Sequence, residues 1–293
     1  PMKIFRCILP VFLFSLTLLV DLWGETPPAP KDTAVVVLSP AQLRKIAERA
    51  SSDFMEAQRK NNHKAMLTAL LNEAEAWLEM NAVQQADKVL NKASGMVHEN
   101  DMNTLAGKFY LLKTKADKEK NYLGPAEKAA QRALEIYSQL HDTAGIAGCY
   151  SQMGSIAWKK HDYDNALNLF TSALNLYRTV HDDNAIGQTL INLGIVHTDM
   201  NRFDQAEEYF RRSLEHYAGL KNPLGEAGAF HYLGVYYFRR ARLKEAEDYY
   251  TRAWKIRLSA GDTLGATGSL INLIQVYRDL RQPEKATEAS GMA

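Results

Sequence analysis

Residues Gln188–Tyr217 read QTLINLGIVHTDMNRFDQAEEYFRRSLEHY. Leu190, Leu193, Gly194 and His197 are spaced i, i+3, i+4 and i+7, so all four lie on one face of an α-helix. The pattern breaks at Asn201-Arg202 and resumes with Phe203, Ala206, Phe210, Ser213, Leu214 and Tyr217 along one face of a second helix. Asp204 and Glu207 are expected in the first turn of that helix, where the positive end of the macrodipole favours acids. Gly194 and Ala206 are small enough for the two helices to approach closely, with the large residues filling the space alongside.

The unit recurs every 40 residues. Alanine stands at Ala86, Ala126, Ala166, Ala206, Ala246 and Ala286, and a second small-residue column runs through Ala93, Ala133, Ala173, Ser213, Ala253 and Ala293. A bulky column follows at Leu134, Leu174, Leu214 and Trp254, and another runs through Leu70, Tyr110, Tyr150, Leu190, Phe230 and Leu270. Met153, Leu193, Leu233 and Leu273 align three residues on, with Gly154, Gly194 and Gly234 beside the first three. Turn residues recur at His141-Asp142, His181-Asp182, Lys221-Asn222-Pro223 and Gly261-Asp262. A helix pair alone cannot bury both of its faces, so such units stack.

Leu193-Gly194, Leu233-Gly234, the alanine column and the aromatics Tyr163, Phe203, Phe210 and Tyr250 together resemble the tetratricopeptide repeat family, over roughly residues 64–293. The resemblance implies an all-α fold: a right-handed superhelical solenoid of helix-turn-helix repeats. The 40-residue period is longer than the family's usual one and resembles its long-helix variety. Ala74, Thr114 and Ile274 replace the glycine, so the outer repeats depart from the pattern. The expected organisation is a signal peptide or membrane anchor over 1–24, an extended proline-rich linker over 25–38, and a repeat domain over 39–293. That domain would open with a capping helix at 39–60, started by Ser39-Pro40, and continue as six units.

The first residues are of another character. Lys3 and Arg6 precede an uncharged apolar run from Cys7 to Val20, ended by Asp21. A basic start, a short apolar stretch and a polar exit read as an export signal; an uncleaved anchor is the alternative, although about 20 apolar residues are needed to span a bilayer. The expected location is therefore periplasmic, secreted or on the extracytoplasmic face of a membrane. With the signal removed Cys149 would be the one cysteine left, so no internal disulfide is expected. The 35 basic and 34 acidic residues are spread along the chain without a Lys/Arg-rich block, which excludes nucleic acid as an expected partner.

No catalytic constellation emerges. His141-Asp142, His161-Asp162 and His181-Asp182 suggest a metal site at first sight, but His141 and His181 are one repeat apart at equivalent turns. Packed helices stand about 8–10 Å apart, whereas shared metal ligands must converge to about 2 Å. His197 falls where later units carry Tyr237 and Tyr277, a core-facing position. No metalloprotease, phosphate-loop or nucleophile-elbow motif is present. No cofactor, metal or catalytic residue is expected.

Each unit does offer a surface. Gln188, Asn192, Ile195 and Asp199 form a stripe opposite the packed face of their helix. The resemblance implies that this stripe lines a concave groove in which ligands lie. The column through Asn192 reads Asn72, Leu112, Gln152, Asn192, Tyr232 and Asn272, and in peptide-binding relatives an asparagine here holds the ligand main chain. A carboxamide both donates and accepts, as a peptide group requires. The next column, Glu79, Glu119, Lys159, Asp199, Arg239 and Asp279, alternates in sign, which argues against a dedicated basic clamp. Trp158, Lys159, Tyr232, Tyr236, Arg239 and Arg240 are expected to make the middle of the groove aromatic and basic. The candidate partner-binding residues are thus Asn72, Gln152, Lys159, Gln188, Asn192, Ile195, Asp199, Tyr232, Arg239 and Asn272. The expected function is a non-catalytic scaffold or adaptor holding a partner peptide or helix. The alternative is the extracytoplasmic ligand-sensing region of a larger signalling protein. The C-terminal end, lacking a polar cap, could stack on another copy.

Overall fold

A computed structural model describes residues 40–98 and 100–292. The expected signal segment, the proline-rich linker, Ser39 and Ala293 lie outside the described residues. Thirteen α-helices and no strand occur among the described residues: α1 (Pro40–Arg59), α2 (His63–Glu79), α3 (Val83–Ser94), α4 (Thr104–Glu119), α5 (Leu123–Gln139), α6 (Thr143–Lys159), α7 (Tyr163–Thr179), α8 (Asp183–Asp199), α9 (Phe203–Gly219), α10 (Pro223–Arg239), α11 (Leu243–Ser259), α12 (Thr263–Asp279) and α13 (Pro283–Met292). None is long and apolar enough to cross a membrane.

The 40-residue period comes from one local device used over and over. From α5 to α12 every helix has 17 residues, and three turn residues complete each half-unit. The middle turn residue is left-handed: Asn61, Asn81, Asn121, His141, His161, His181, Asn201, Lys221, Ala241, Gly261 and Arg281 all have φ between 50° and 75°. Around it two backbone bonds close the helix, as when His141 N–H donates to Ser138 O (3.2 Å) and Asp142 N–H to Tyr137 O (2.9 Å). This is the Schellman arrangement, which satisfies the last carbonyls of a helix. Asparagine and histidine tolerate the left-handed region better than most residues, which explains why the His-Asp pairs fall there.

The residue after the left-handed one serves as an N-cap. Asn62, Asp142, Asp182, Asn222 and Asp262 each accept from the backbone N–H three residues on, at 2.9–3.0 Å, and Asn103 does so for α4. These caps open the first helix of each pair. The second helices α3, α5, α7, α9 and α11 start at Ala82, Tyr122, Asp162, Arg202 and Arg242 without a side-chain cap bond. Among the described residues the unit is interrupted where α3 ends after 12 residues, and neither residues 95–98 nor residues 100–103 are helical.

Packing follows the small-residue columns. Ala86, Ala126, Ala166, Ala206 and Ala246 are fully buried. A methyl group on Gly194 would come within 2.5 Å of the Phe210 ring, and Gly154 and Gly234 face Phe170 and Tyr250 in the same way. First helices of successive pairs lie against one another, α2 with α4, α4 with α6, α6 with α8 and α8 with α10, while second helices pack on first helices. The first helices therefore line one side of a helical-repeat solenoid.

Candidate functional site

The first-helix side carries a pocket of about 390 Å³ built by four consecutive first helices. Lys118 and Glu119 come from α4, Ser155, Trp158 and Lys159 from α6, Asn192, Ile195, Thr198 and Asp199 from α8, and Tyr232, Val235 and Arg239 from α10. Phe170 of α7 and Phe210 of α9 reach the pocket from the second-helix layer. Their rings rest where Gly154 and Gly194 carry no side chain, so the glycine column is what admits an aromatic floor. Ile195, Val235 and the Phe210–Tyr232 stack, with centroids 6.3 Å apart, extend the apolar surface.

Polar groups surround this floor. Asp199 Oδ2 accepts from Trp158 Nε1 at 2.7 Å, and Asp199 Oδ1 takes the Arg239 guanidinium. One carboxylate thus ties α6, α8 and α10 together. Lys118 is only 8% exposed; its Nζ donates to Gln152 Oε1 at 2.9 Å and pairs with Glu119 at 3.4 Å. Burial pushes its pKa below the usual lysine range; Glu119 opposes this, and the neighbouring Lys115 and Lys159 charges add to it. Thr198 and Ser155 spend their hydroxyls on carbonyls of their own helices, Gly194 O and Ser151 O. Asn192, which lines the pocket, accepts from Gln188 Nε2 at 3.2 Å through Oδ1, and its amide N–H groups meet no acceptor among the described residues.

Of the ten candidate residues, Lys159, Asn192, Ile195, Asp199, Tyr232 and Arg239 meet in this pocket. Gln188 and Gln152 support it through Asn192 and Lys118. The other two stand elsewhere. Asn72 accepts from Lys108 Nζ at 3.1 Å and lines a separate depression with Asp53 of α1, and Asn272 lies on α12 outside the pocket. Tyr236 and Arg240 correct the expectation of an aromatic, basic middle formed by their side chains. Tyr236 is fully buried and donates to Glu207 Oε2 at 3.0 Å, and Arg240 lies over the Phe203 and Tyr236 rings. Glu207 lies past the first turn of α9, whose first-turn acid is Asp204; Tyr237 and Arg211 also bond to it, making it the hub of an inter-repeat cluster. His197 is 9% exposed and stacks on Tyr209 with centroids 5.2 Å apart, and burial lowers its pKa. Cys149 is buried, and burial raises its thiol to about 12, so it carries no thiolate at neutral pH. Among the described residues no group of His, Cys, Asp and Glu side chains is placed to hold a metal ion.

Sequence reasoning missed Lys118, Phe170 and Phe210 as site residues. The two phenylalanines carry the signal of core residues, and only the glycines opposite them mark where the core thins to a groove.

The tetratricopeptide repeat family matches residues 145–219 and again residues 227–260. No curated protein matches the sequence. Among solved structures, the chain is similar to a Rap protein complexed with Competence and Sporulation Factor, at 16% identity and TM-score 0.66, over 85% of this chain and 74% of that one. It is also similar to NprR in complex with its cognate peptide NprX, at 10% identity and TM-score 0.58, over 84% and 76% of the two chains. Aspartyl phosphate phosphatase F from Bacillus subtilis shares 13% identity at TM-score 0.57 over 94% and 85%. At these identities the likeness concerns the fold. With its Schellman turns, alanine column and 40-residue helix pairs, the chain carries tetratricopeptide repeats over residues 145–219 and 227–260.

Proposed function

We propose that this protein is a non-catalytic interaction module that holds an extended segment or a helix of a partner protein in its first-helix groove. The observation that carries the reading is the pocket across α4, α6, α8 and α10, where an apolar floor adjoins the free amide donors of Asn192. Such a combination suits a peptide: a side chain enters the floor while a carbonyl of its main chain accepts from the carboxamide. The Rap and NprR structures, recorded with a factor and a peptide respectively, lend the reading support through the shared fold.

The test is affinity capture with the full chain beside an Asn192→Ala/Asn272→Ala double variant. Proteins retained by the first should be lost from the second, while the melting temperature stays nearly unchanged, since exposed substitutions change stability by about 0.5 kcal/mol or less. Retention of the same proteins by both forms would remove the groove assignment. The basic-apolar start of the sequence supports an exported protein. The same start fits a second reading, the sensing region of a larger signalling protein. N-terminal sequencing of the protein from fractionated cells checks export; an unprocessed chain confined to the cytosol would refute it.

A further inference from the structure

The charges around the pocket do not cancel. Lys118, Lys159 and Arg239 face Glu119 and Asp199, and both carboxylates are engaged, Glu119 with Lys118 and Asp199 with Arg239 and Trp158. Lys159 has no ion-pair or hydrogen-bond partner among the described residues, although it is half-buried at the last residue of α6. Lys118, largely buried, shares one carboxylate at 3.4 Å and a carboxamide. A cation near a helix C-terminus complements the macrodipole, which accounts for each of these residues singly. It does not account for two ammonium groups lining the same pocket beside a hydrophobic floor, where low polarity makes an uncompensated charge costly.

We propose that the α4–α6 wall of the pocket is an anion subsite, and that the segment held in the groove presents an acidic side chain, Asp or Glu, to Lys159 and Lys118. The adjoining apolar residue of that segment rests on Phe170, Phe210 and Ile195. The proposal rests on the peptide-binding reading above and deepens it by naming the ligand chemistry. The geometry puts the acidic group at one wall and the main-chain donor Asn192 on the next helix, so an apolar residue flanked by an acid matches both. Asp199 disfavours a second acid at the Arg239 wall, because that guanidinium is already neutralised. Lys159 gains a partner on binding, whereas Arg239 would have to exchange one.

A display library of random twelve-residue peptides, selected on the full chain, tests this. Selected peptides should share an apolar residue next to Asp or Glu. Synthetic versions should bind about tenfold or more weakly to Lys159→Gln and recover on Lys159→Arg, as a partly desolvated charge-assisted contact implies. Replacing the peptide acid by its amide should cost the same factor on the wild-type chain and almost nothing further on Lys159→Gln. Raising the salt concentration should weaken the acidic peptide more than its amide. Peptides lost on Asn192→Ala yet lacking an acid, or indifferent to Lys159→Gln, would overturn the anion subsite while leaving the groove reading intact. Peptides indifferent to both substitutions, or a library yielding no binder, would overturn both.

Discussion

Tyr217 and Arg257 occupy the same place in consecutive units, each two residues before the end of its second helix, yet they make different seams. Tyr217 is buried between Gly187 and Gly225, where a Cβ would come within 2.4 and 2.3 Å of its ring, and its hydroxyl donates to Asn184 O at 3.0 Å. Tyr137 repeats this between Gly107 and Gly145. At Arg257 the first glycine is Ala227, and the guanidinium donates to Gly265 O at 2.9 Å and Ser269 Oγ at 2.8 Å, with Asp262 no nearer than 3.8 Å. His231 Nδ1 lies 3.1 Å from the same Ser269 Oγ. One seam is an aromatic plate in a fitted slot; the other is a partly buried cation with a distant counter-ion. Leu258 of α11 and Leu264 and Ile271 of α12, the two helices that form the polar seam, are each more than half exposed. The comparison teaches that from α5 to α12 the repeat keeps its helix lengths, turns and alanine column while the filling of each seam changes along the chain.

The largest contrast should appear on truncation. Tyr217→Ala is expected to cost about 3–5 kcal/mol in urea unfolding, the loss typical of a buried large aromatic. Arg257→Met should stay within about 1 kcal/mol of wild type or stabilise, since replacing a partly buried charge with a distant counter-ion by an apolar group of similar length removes a desolvation cost. Equal losses at the two seams would dissolve the comparison.

Acid sharpens it next. Burial, with Arg257 adding to it, pushes the His231 pKa down from 6.5 to about 4. Its partners are Arg257 and Tyr250 of α11, Ser269 of α12 and its neighbour Tyr232. Between these values the unfolded chain binds the proton and the folded chain does not. Stability from this group is therefore complete above about pH 6.5 and falls as the pH drops toward 4, by about 2–3 kcal/mol. Urea melts of wild type and His231→Phe across that range should diverge by this amount; parallel curves would show that the polar seam does not resist protonation.

Glycine substitutions probe the aromatic seams and floor with smaller effects. Gly194→Leu should lose about 1–3 kcal/mol by overpacking against Phe210. Gly228→Ala should instead be neutral or gain up to about 1 kcal/mol, because its Cβ would meet only Ile191 Cδ1 at an ordinary 3.7 Å. Circular-dichroism melts check both, and a stable Gly194→Leu would mean that the hairpin spacing is not set by this glycine.

Much of the architecture was legible because it is local. The turn at His181-Asp182 needs a residue that tolerates positive φ followed by an N-cap acceptor, and both requirements are written in adjacent letters. The groove stripe was legible for a related reason: Asn192, Ile195 and Asp199 share a helix face whatever surrounds them. Tyr236 and Arg240 were misplaced because they lie only about one residue's rotation from that stripe. Which side of a boundary residue faces the groove depends on the neighbouring helix, here through the pull of Glu207 on the Tyr236 hydroxyl.

The sequence by itself determined the repeat, its 40-residue length, the small columns that allow close approach and the direction each first helix faces, since all follow from periodicity and turn chemistry within one unit. Tertiary structure alone decided that Lys118 of one unit stands beside Lys159 of the next, that Asp199 joins three helices, and that Phe170 and Phe210 form a floor. Those relations depend on how each helix is rotated and shifted against its neighbours, a quantity summed over many weak packing contacts rather than encoded at any one position.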